Sequence, residues 1–270
     1  MSSLLKQFAA VVVLVLQGFE MLGNIEHTQI SGQELERYSK QILIKNIGGV
    51  GQKKLKSSKV LVIGLGGLGS PVVTHLSSSG IGKIGLVDND KVDLSNLQRQ
   101  FIHNVNTIGL NKTESAKIFI DRLNPNSIIY GYSTDAKTPE ILEIIKQYDV
   151  VIDCTDNFKT RFKVADACQK YNKPYILGTV RAYEGQVTTI LPSTSKIKNP
   201  KIRNLFDEEN ISNAEDDCSD IGVLSVTTTL IGTIMASECL KLILNINEVL
   251  VGKLLMVDLL NLKFETIKYR

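Results

Sequence analysis

The sequence predicts an α/β protein: a Rossmann-like doubly wound mixed sheet, parallel in its first half and antiparallel in its C-terminal strands. Three observations carry that reading. From Lys59 onward, short apolar runs alternate with helix-length segments. The first run ends in a glycine-rich loop that opens a helix. After Gly185 the rhythm changes to strand-like segments around one long apolar helix.

Lys59–Ile63 (KVLVI) is short, apolar and rich in β-branched residues, so it reads as a buried strand. Ser70–Ser79 reads as a helix, because Pro71 is tolerated in a first turn, where its missing N–H has no partner to lose. Lys83–Val87 is the next strand and closes on Asp88. Lys112–Leu123 is a helix halted before Asn124-Pro125. Ser127–Thr134 alternates as a strand does, Pro139–Lys146 is helical, and Asp149–Asp153 is again a buried strand. Phe158–Tyr171 is a helix and Tyr175–Gly178 a strand. Gln186–Leu191 is a strand, Leu224–Leu244 a long apolar helix, and Lys253–Leu260 with Lys263–Tyr269 an antiparallel hairpin. Between Pro192 and Ile221 no periodicity survives; such a long loop in a compact domain is functional or disordered.

The chain has 270 residues, with 31 basic and 28 acidic side chains and a net charge of +3. A chain of this length buries a core without staples. No repeat or linker divides it, so residues 31–270 read as one domain behind an N-terminal extension, residues 1–30. The balanced charge excludes a basic nucleic-acid tail or a polybasic membrane patch. Phe8–Leu16 is an apolar run with the length of a signal-peptide core, but no small-residue cleavage site follows it. A targeting or membrane-surface segment, an extra packing helix, and a true start at Met21 are all open readings of it. Cys154, Cys168, Cys218 and Cys239 form no Cys-x-x-Cys pair, and His27, His75 and His103 are scattered. That excludes a zinc site of ordinary spacing and reads as free thiols in a reducing compartment, with Cys154 packed under its strand. A soluble chain of the cytoplasm or plastid stroma is expected.

Gly64-Leu65-Gly66-Gly67-Leu68-Gly69 fits G-x-G-x-x-G between a strand and a helix. Glycine turns tightly and admits a phosphate close to the backbone, and the helix start offers free N–H groups to an anion. Asp88, at the tip of the second strand, suits ribose hydroxyls. This much accommodates NAD, FAD, S-adenosylmethionine or ATP alike. Ser95-Asn96-Leu97-Gln98-Arg99-Gln100 then favours ATP: Asn96 and Arg99 lie three apart, and Arg99 can fork onto phosphate oxygens. Lys112 adds a second cation at a helix start. Asp156 follows a parallel strand, where ligands bind in such sheets, and is a candidate Mg²⁺ ligand. Asp156 or Asn157 would equally serve as N-cap of the next helix.

RYSKQ (Arg37–Gln41), GLGGLGSP (Gly64–Pro71), DND with SNLQRQ (Asp88–Gln100), GLNKTESA (Gly109–Ala116), CTDN (Cys154–Asn157) and R-x-x-E-G-Q (Arg181–Gln186) occur in that order. Together they make the chain resemble the ubiquitin-activating E1-like superfamily. The likeness is to the bacterial and plastid branch that adenylates molybdopterin synthase and the thiamine-pathway sulfur carrier. It implies an ATP- and Mg²⁺-dependent adenylyltransferase acting on the C-terminal glycine of a ubiquitin-like carrier ending in Gly-Gly, with sulfur from a separate donor. Gly67 would line the nucleotide pocket with Gly64, Gly66 and Gly69. Asp88 would hold ribose beside Asp90. Asn96, Arg99 and Lys112 would hold phosphates, with Ser95, Leu97 and Gln98 around them. Asp156 would hold Mg²⁺ beside Asn157. The resemblance also implies a homodimer in which the RYSKQ segment approaches the neighbour's ATP.

The chain departs from the family in places. Relatives often carry Arg where Lys40 stands, and Lys lacks the bidentate fork. Relatives carry Cys-x-x-Cys in the region of Lys201–Asn204 and again after the last hairpin; here the first is replaced and the second is not reached, which implies loss of structural zinc. The long loop is then expected to be held by packing alone or to be mobile. No rhodanese-like sulfurtransferase domain is expected to follow. Cys218 stands where several relatives form a covalent acyl–sulfur link. An oxidoreductase on the same fold, a non-catalytic E1-like partner and an enzyme adenylating a tRNA-linked carboxyl are the competing readings.

Overall fold

The computed structural model describes residues 28–193, 198–208 and 222–270. Most of the N-terminal extension, Cys218 and most of the acidic loop lie outside the described residues. Short helices open the described chain: α1 (Gly32–Arg37), α2 (Ser39–Ile42) and α3 (Gly48–Ser57). Then come β1 (Lys59–Ile63), α4 (Gly69–Ser78), β2 (Lys83–Val87), α5 (Lys112–Leu123), β3 (Ile128–Tyr132), α6 (Glu140–Lys146), β4 (Val150–Asp153) and α7 (Phe158–Lys170). The last part is β5 (Tyr175–Arg181), β6 (Glu184–Ile190), α8 (Ser225–Leu244), β7 (Lys253–Asp258) and β8 (Lys263–Lys268).

These strands form one 8-stranded sheet in the order β3-β2-β1-β4-β5-β6-β7-β8. The pairs from β3 to β5 are parallel, and those from β5 to β8 antiparallel, so the mixed sheet is as the sequence predicts. Alternation along β1 divides the core. Val60 and Val62 face α4, α5 and α8, whereas Leu61 and Ile63 face α6 and α7. Both faces of the central strands are therefore covered, which is why KVLVI and VVID read as unbroken apolar runs.

Several boundaries move. β5 runs on to Arg181, beyond the expected Gly178, because it pairs along its whole length with β6. β3 is shorter than expected and largely exposed, as befits an edge strand. Asn157 is the N-cap of α7, accepting from Thr160 N–H at 3.0 Å, and this leaves Asp156 outside the helix. The apolar α8 packs on β5, β6 and α4 rather than standing alone, and half of its most apolar window is buried.

Of the long loop, expected to be held by packing alone or to be mobile, the described residues 198–208 are held by packing and by charge. Ile202 is buried and Phe206 meets Phe158 with ring centroids 4.9 Å apart. Charge adds to this: Arg203 forks onto Asp166 of α7 at 2.6 and 2.9 Å, pairs with Glu208 at 2.6 Å, and lies over the Phe162 ring.

Candidate active site

In a doubly wound sheet, ligands bind beyond the C-terminal strand ends where the strand order reverses. Here that point lies between β1 and β4. The register sets Ile63 level with both Val87 and Asp153, so the loops leaving β1, β2 and β4 emerge side by side. They enclose a cleft of about 660 Å³, within the range of a nucleotide-sized pocket.

The glycine loop forms one wall. Gly64 has φ +91°, a conformation open to glycine and strained for other residues. A side chain at Gly69 would press its Cβ to within 2.1 Å of the Gly64 carbonyl oxygen, so this glycine lets α4 start tight against the strand end. The loop is tied to its surroundings at Leu65. Its N–H donates to Asp88 Oδ2 at 2.7 Å, and its carbonyl lies 3.1 Å from His103 Nε2. Asp88 Oδ1 accepts the Asp90 N–H at 2.9 Å. Burial pushes the Asp88 carboxyl above its ordinary value, with the Lys112 ammonium opposing that shift.

Cations gather on the opposite wall. Lys112 is buried and pairs with Asp90 at 2.7 Å; it is thus engaged by a carboxylate that is itself mostly exposed. Arg99 donates to its own turn, at Ser95 O, 3.2 Å away. Arg161, only 3% exposed, donates to Thr155 O at 2.6 Å and lies over the Phe158 ring, and its Nε is buried with no hydrogen-bond partner among the described residues. Among the described residues neither Arg99 nor Arg161 has a carboxylate within ion-pair distance. Unpaired guanidinium groups in a cleft are sites for an anion. Beside them the turn after β4 is held from below: Asp153 accepts from Thr155 N–H at 2.9 Å, Thr155 Oγ1 at 2.6 Å and Tyr175 OH at 2.7 Å. This turn brings Asp156 to the cleft. Its carboxylate receives the Asn157 amide at 3.3 Å.

Of the sequence-predicted residues, Gly64, Gly66, Gly67, Asp88, Asp90, Asn96, Gln98, Arg99, Lys112, Asp156 and Asn157 line this cleft. Gly69, Ser95 and Leu97 do not; Gly69 packs behind the loop, and Ser95 donates to Asp93 at 2.6 Å. Lys40 is exposed on α2 and lies outside its own chain's cleft. Cys154 reaches the cleft wall, but burial and the neighbouring Asp153 push its thiol well above the ordinary range, which suits packing rather than attack. Sequence reasoning missed Arg161, His103 and the Thr134–Lys137 loop. Arg161 sits one turn beyond the Asn157 cap, a spacing that would have aimed it back at the turn. The loop after the edge strand carries no such signal.

A model of the ThiF family matches residues 38–270. The chain is 43% identical over 242 residues to the probable molybdopterin-synthase adenylyltransferase of Porphyra purpurea, covering 89% of this chain and 62% of that one. It is 38% identical over 241 residues to the SAMP-activating enzyme E1 of Haloferax volcanii, covering 89% and 87%. The chain spans 62% and 54% of the first curated relatives it matches, the Porphyra protein and a Drosophila sechellia adenylyltransferase and sulfurtransferase. Among solved structures, E. coli MccB with ATP superimposes with a TM-score of 0.74 at 23% identity, over 86% of this chain and 71% of that one, a likeness of fold.

Proposed function

The chain belongs to the ThiF family, and from that premise we propose that it uses ATP to adenylate the C-terminal glycine carboxylate of a ubiquitin-like sulfur-carrier protein. The observation that carries this reading is the pairing, in one cleft, of unpaired Arg99 and Arg161 with a carboxylate, Asp156, that Asn157 has relieved of capping. A redox cofactor has no need of that combination; a polyphosphate with a divalent cation does. The names of the relatives from Porphyra and Haloferax, an adenylyltransferase and an activating enzyme E1, agree with it.

The reaction joins two anions. A carboxylate oxygen of the carrier forms a bond to the α-phosphorus, and the bond from that phosphorus to the bridging oxygen breaks. Pyrophosphate leaves with the electron pair, and the product is an acyl-adenylate. Asp88 holds ribose, while Asn96, Arg99 and Lys112 hold the phosphates, and Arg161 adds positive potential on the same side. Positioning and charge neutralisation supply most of the acceleration in such transfers. Asp156 fits magnesium, because its lone pairs are largely free. Among the described residues no three acidic, His or Cys side chains converge on one point, so phosphate oxygens would complete the shell. An ion held by Asp156 would supply charge neutralisation for a departing pyrophosphate. Sulfur comes from a separate donor, and the enzyme works as a homodimer.

The test is exchange of labelled pyrophosphate into ATP, with Mg²⁺ and a carrier ending in Gly-Gly. Carrier-dependent exchange that Arg99→Ala and Asp156→Ala each abolish supports the reading. ATP binding without exchange points to a non-catalytic partner instead. Copurification of a nicotinamide or flavin, with no affinity for magnesium nucleotide, overturns the proposal.

A further inference from the structure

The glycine loop is held by a residue that makes no contact of its own with the cleft. His103 is 4% exposed and lies between the glycine loop and α5. Its Nε2 faces the Leu65 carbonyl at 3.1 Å and its Nδ1 faces Ser115 Oγ at 2.8 Å. A carbonyl only accepts, so it is a protonated Nε2 that faces Leu65. Ser115 lies on α5, three residues after Lys112, and meets Thr107 Oγ1 at 2.9 Å.

These bonds close a ring. Lys112 pairs with Asp90, the Asp90 N–H bonds Asp88, Asp88 bonds the Leu65 N–H, the Leu65 carbonyl bonds His103, and His103 returns to α5 through Ser115. The Leu65–Gly66 peptide is planar and trans, so the Leu65 C=O and the Gly66 N–H point in opposite directions. His103 draws the carbonyl inward, and the Gly66 N–H therefore points away from it. That N–H makes no hydrogen bond among the described residues, and Gly66 lines the cleft. With glycine at one end, this peptide could otherwise turn over cheaply.

The geometry points to His103 as a positioning residue that fixes the Leu65–Gly66 peptide so that the Gly66 N–H is presented to the phosphates of the bound nucleotide, an inference that rests on the ATP-binding reading of this cleft. The imidazole does this as a neutral group. Burial, with the nearby Lys112 cation, lowers its pKa to about 4, and only the Leu65 carbonyl opposes that shift.

The readout is the affinity for Mg-ATP against that for adenosine, measured by calorimetry on the full chain. His103→Leu loses the donor to Leu65 and is expected to weaken ATP by about 2- to 12-fold, the worth of one neutral hydrogen bond, with adenosine little changed. His103→Gln can place an amide N–H near the Nε2 position and is expected to keep the wild-type ratio. His103→Asn reaches only as far as Ser115 and is expected to behave like the leucine variant. Equal loss of ATP and adenosine affinity in all three variants, with a lowered Tm, would mean a structural role only and overturns the inference. An unchanged ATP affinity in His103→Leu overturns it as well. If the wild type binds ATP but catalyses no exchange, the adenylation reading fails while the ratio still judges His103. If the wild type binds no ATP, both fall.

Discussion

Substituting alanine at Gly66 and at Gly69 separates two jobs within one glycine loop. At Gly69 the added Cβ would sit 2.1 Å from the Gly64 carbonyl oxygen and 3.0 Å from its carbon. Both are backbone atoms, so no side chain can swing away. Ordinary contact begins near 3.4 Å, and α4 must back off from the end of β1 by something on the order of 1 Å. Overpacking of that kind costs about 1–3 kcal/mol. For a chain of this size, that lowers Tm by roughly 2–12 °C. Because the displaced helix start carries the phosphate-facing loop, an error of ~1 Å should cut the exchange rate on the order of 100-fold.

Gly66→Ala is the contrast. Its Cβ would meet Gln100 Nε2 at 3.6 Å, which is ordinary contact, and the backbone there needs no positive φ. Stability should change by less than about 0.5 kcal/mol, while the methyl group occupies space on the ligand side and weakens nucleotide binding. Thermal unfolding paired with Mg-ATP titration distinguishes the two. A Gly69→Ala protein with wild-type Tm and wild-type affinity would refute the packing reasoning. A Gly66→Ala protein with a large fall in Tm would refute the division of roles.

Asp88 gives a pH prediction. Its folded pKa lies above the ordinary 3.8, so the folded state takes up a proton between the two values and Asp88's contribution to stability falls as pH rises through that window. Ribose binding needs the carboxylate, so ATP affinity should fall with acid at a pH above 3.8, and Asp88→Asn should flatten that limb in a titration from pH 4 upward. Arg203→Ala removes the fork to Asp166 and the pair with Glu208. Because those side chains are 39%, 60% and 43% exposed, screening limits the loss to about 0.5–1 kcal/mol, and the difference in Tm from the wild type should shrink in high salt. If Lys40 serves the neighbouring subunit, a mixture of Lys40→Ala and Arg99→Ala chains, each inactive alone, should recover about one quarter of wild-type exchange, because half of a random mixture of two-fold dimers pairs the variants and each such dimer keeps one intact site. No recovery after subunit mixing would remove Lys40 from the reaction.

The central strands were legible because burial on both faces leaves a mark that needs no partner to interpret, namely uninterrupted apolar residues in Val60–Ile63 and Val150–Ile152. The glycine loop was legible for a related reason: a tight turn after a strand admits few residue types, and Gly64 with its positive φ is one of them. What escaped was the choice between neighbours. Asp156 and Asn157 are both good caps, and only the geometry at Thr160 assigns the cap to Asn157. The sheet edge escaped in part as well, since β3 has weak burial and little to fix its ends.

The residues that went unread share a physical trait: they act on backbone carbonyls. His103 bonds the Leu65 carbonyl, and Arg161 bonds the Thr155 carbonyl. Every residue has a carbonyl, so such bonds impose no side-chain pattern on the partner and no periodicity on the donor. The consequence for the site is specific. The groups that would touch a nucleotide, such as Asp88, Arg99 and Asp156, sit in recognisable motifs, whereas the groups that aim those motifs are spread through segments read only as helix or turn. The two neighbouring loops of the cleft are each pinned at one residue through both its N–H and its carbonyl, Leu65 by Asp88 and His103, Thr155 by Asp153 and Arg161. Since the bonds on each side of the residue must hold for its neighbours to face the cleft, loss of His103 or Asp153 should impair ligand binding through a residue that never meets the ligand. A conservative change at Asp153, which is fully buried, is therefore expected to disturb the site although it meets no ligand.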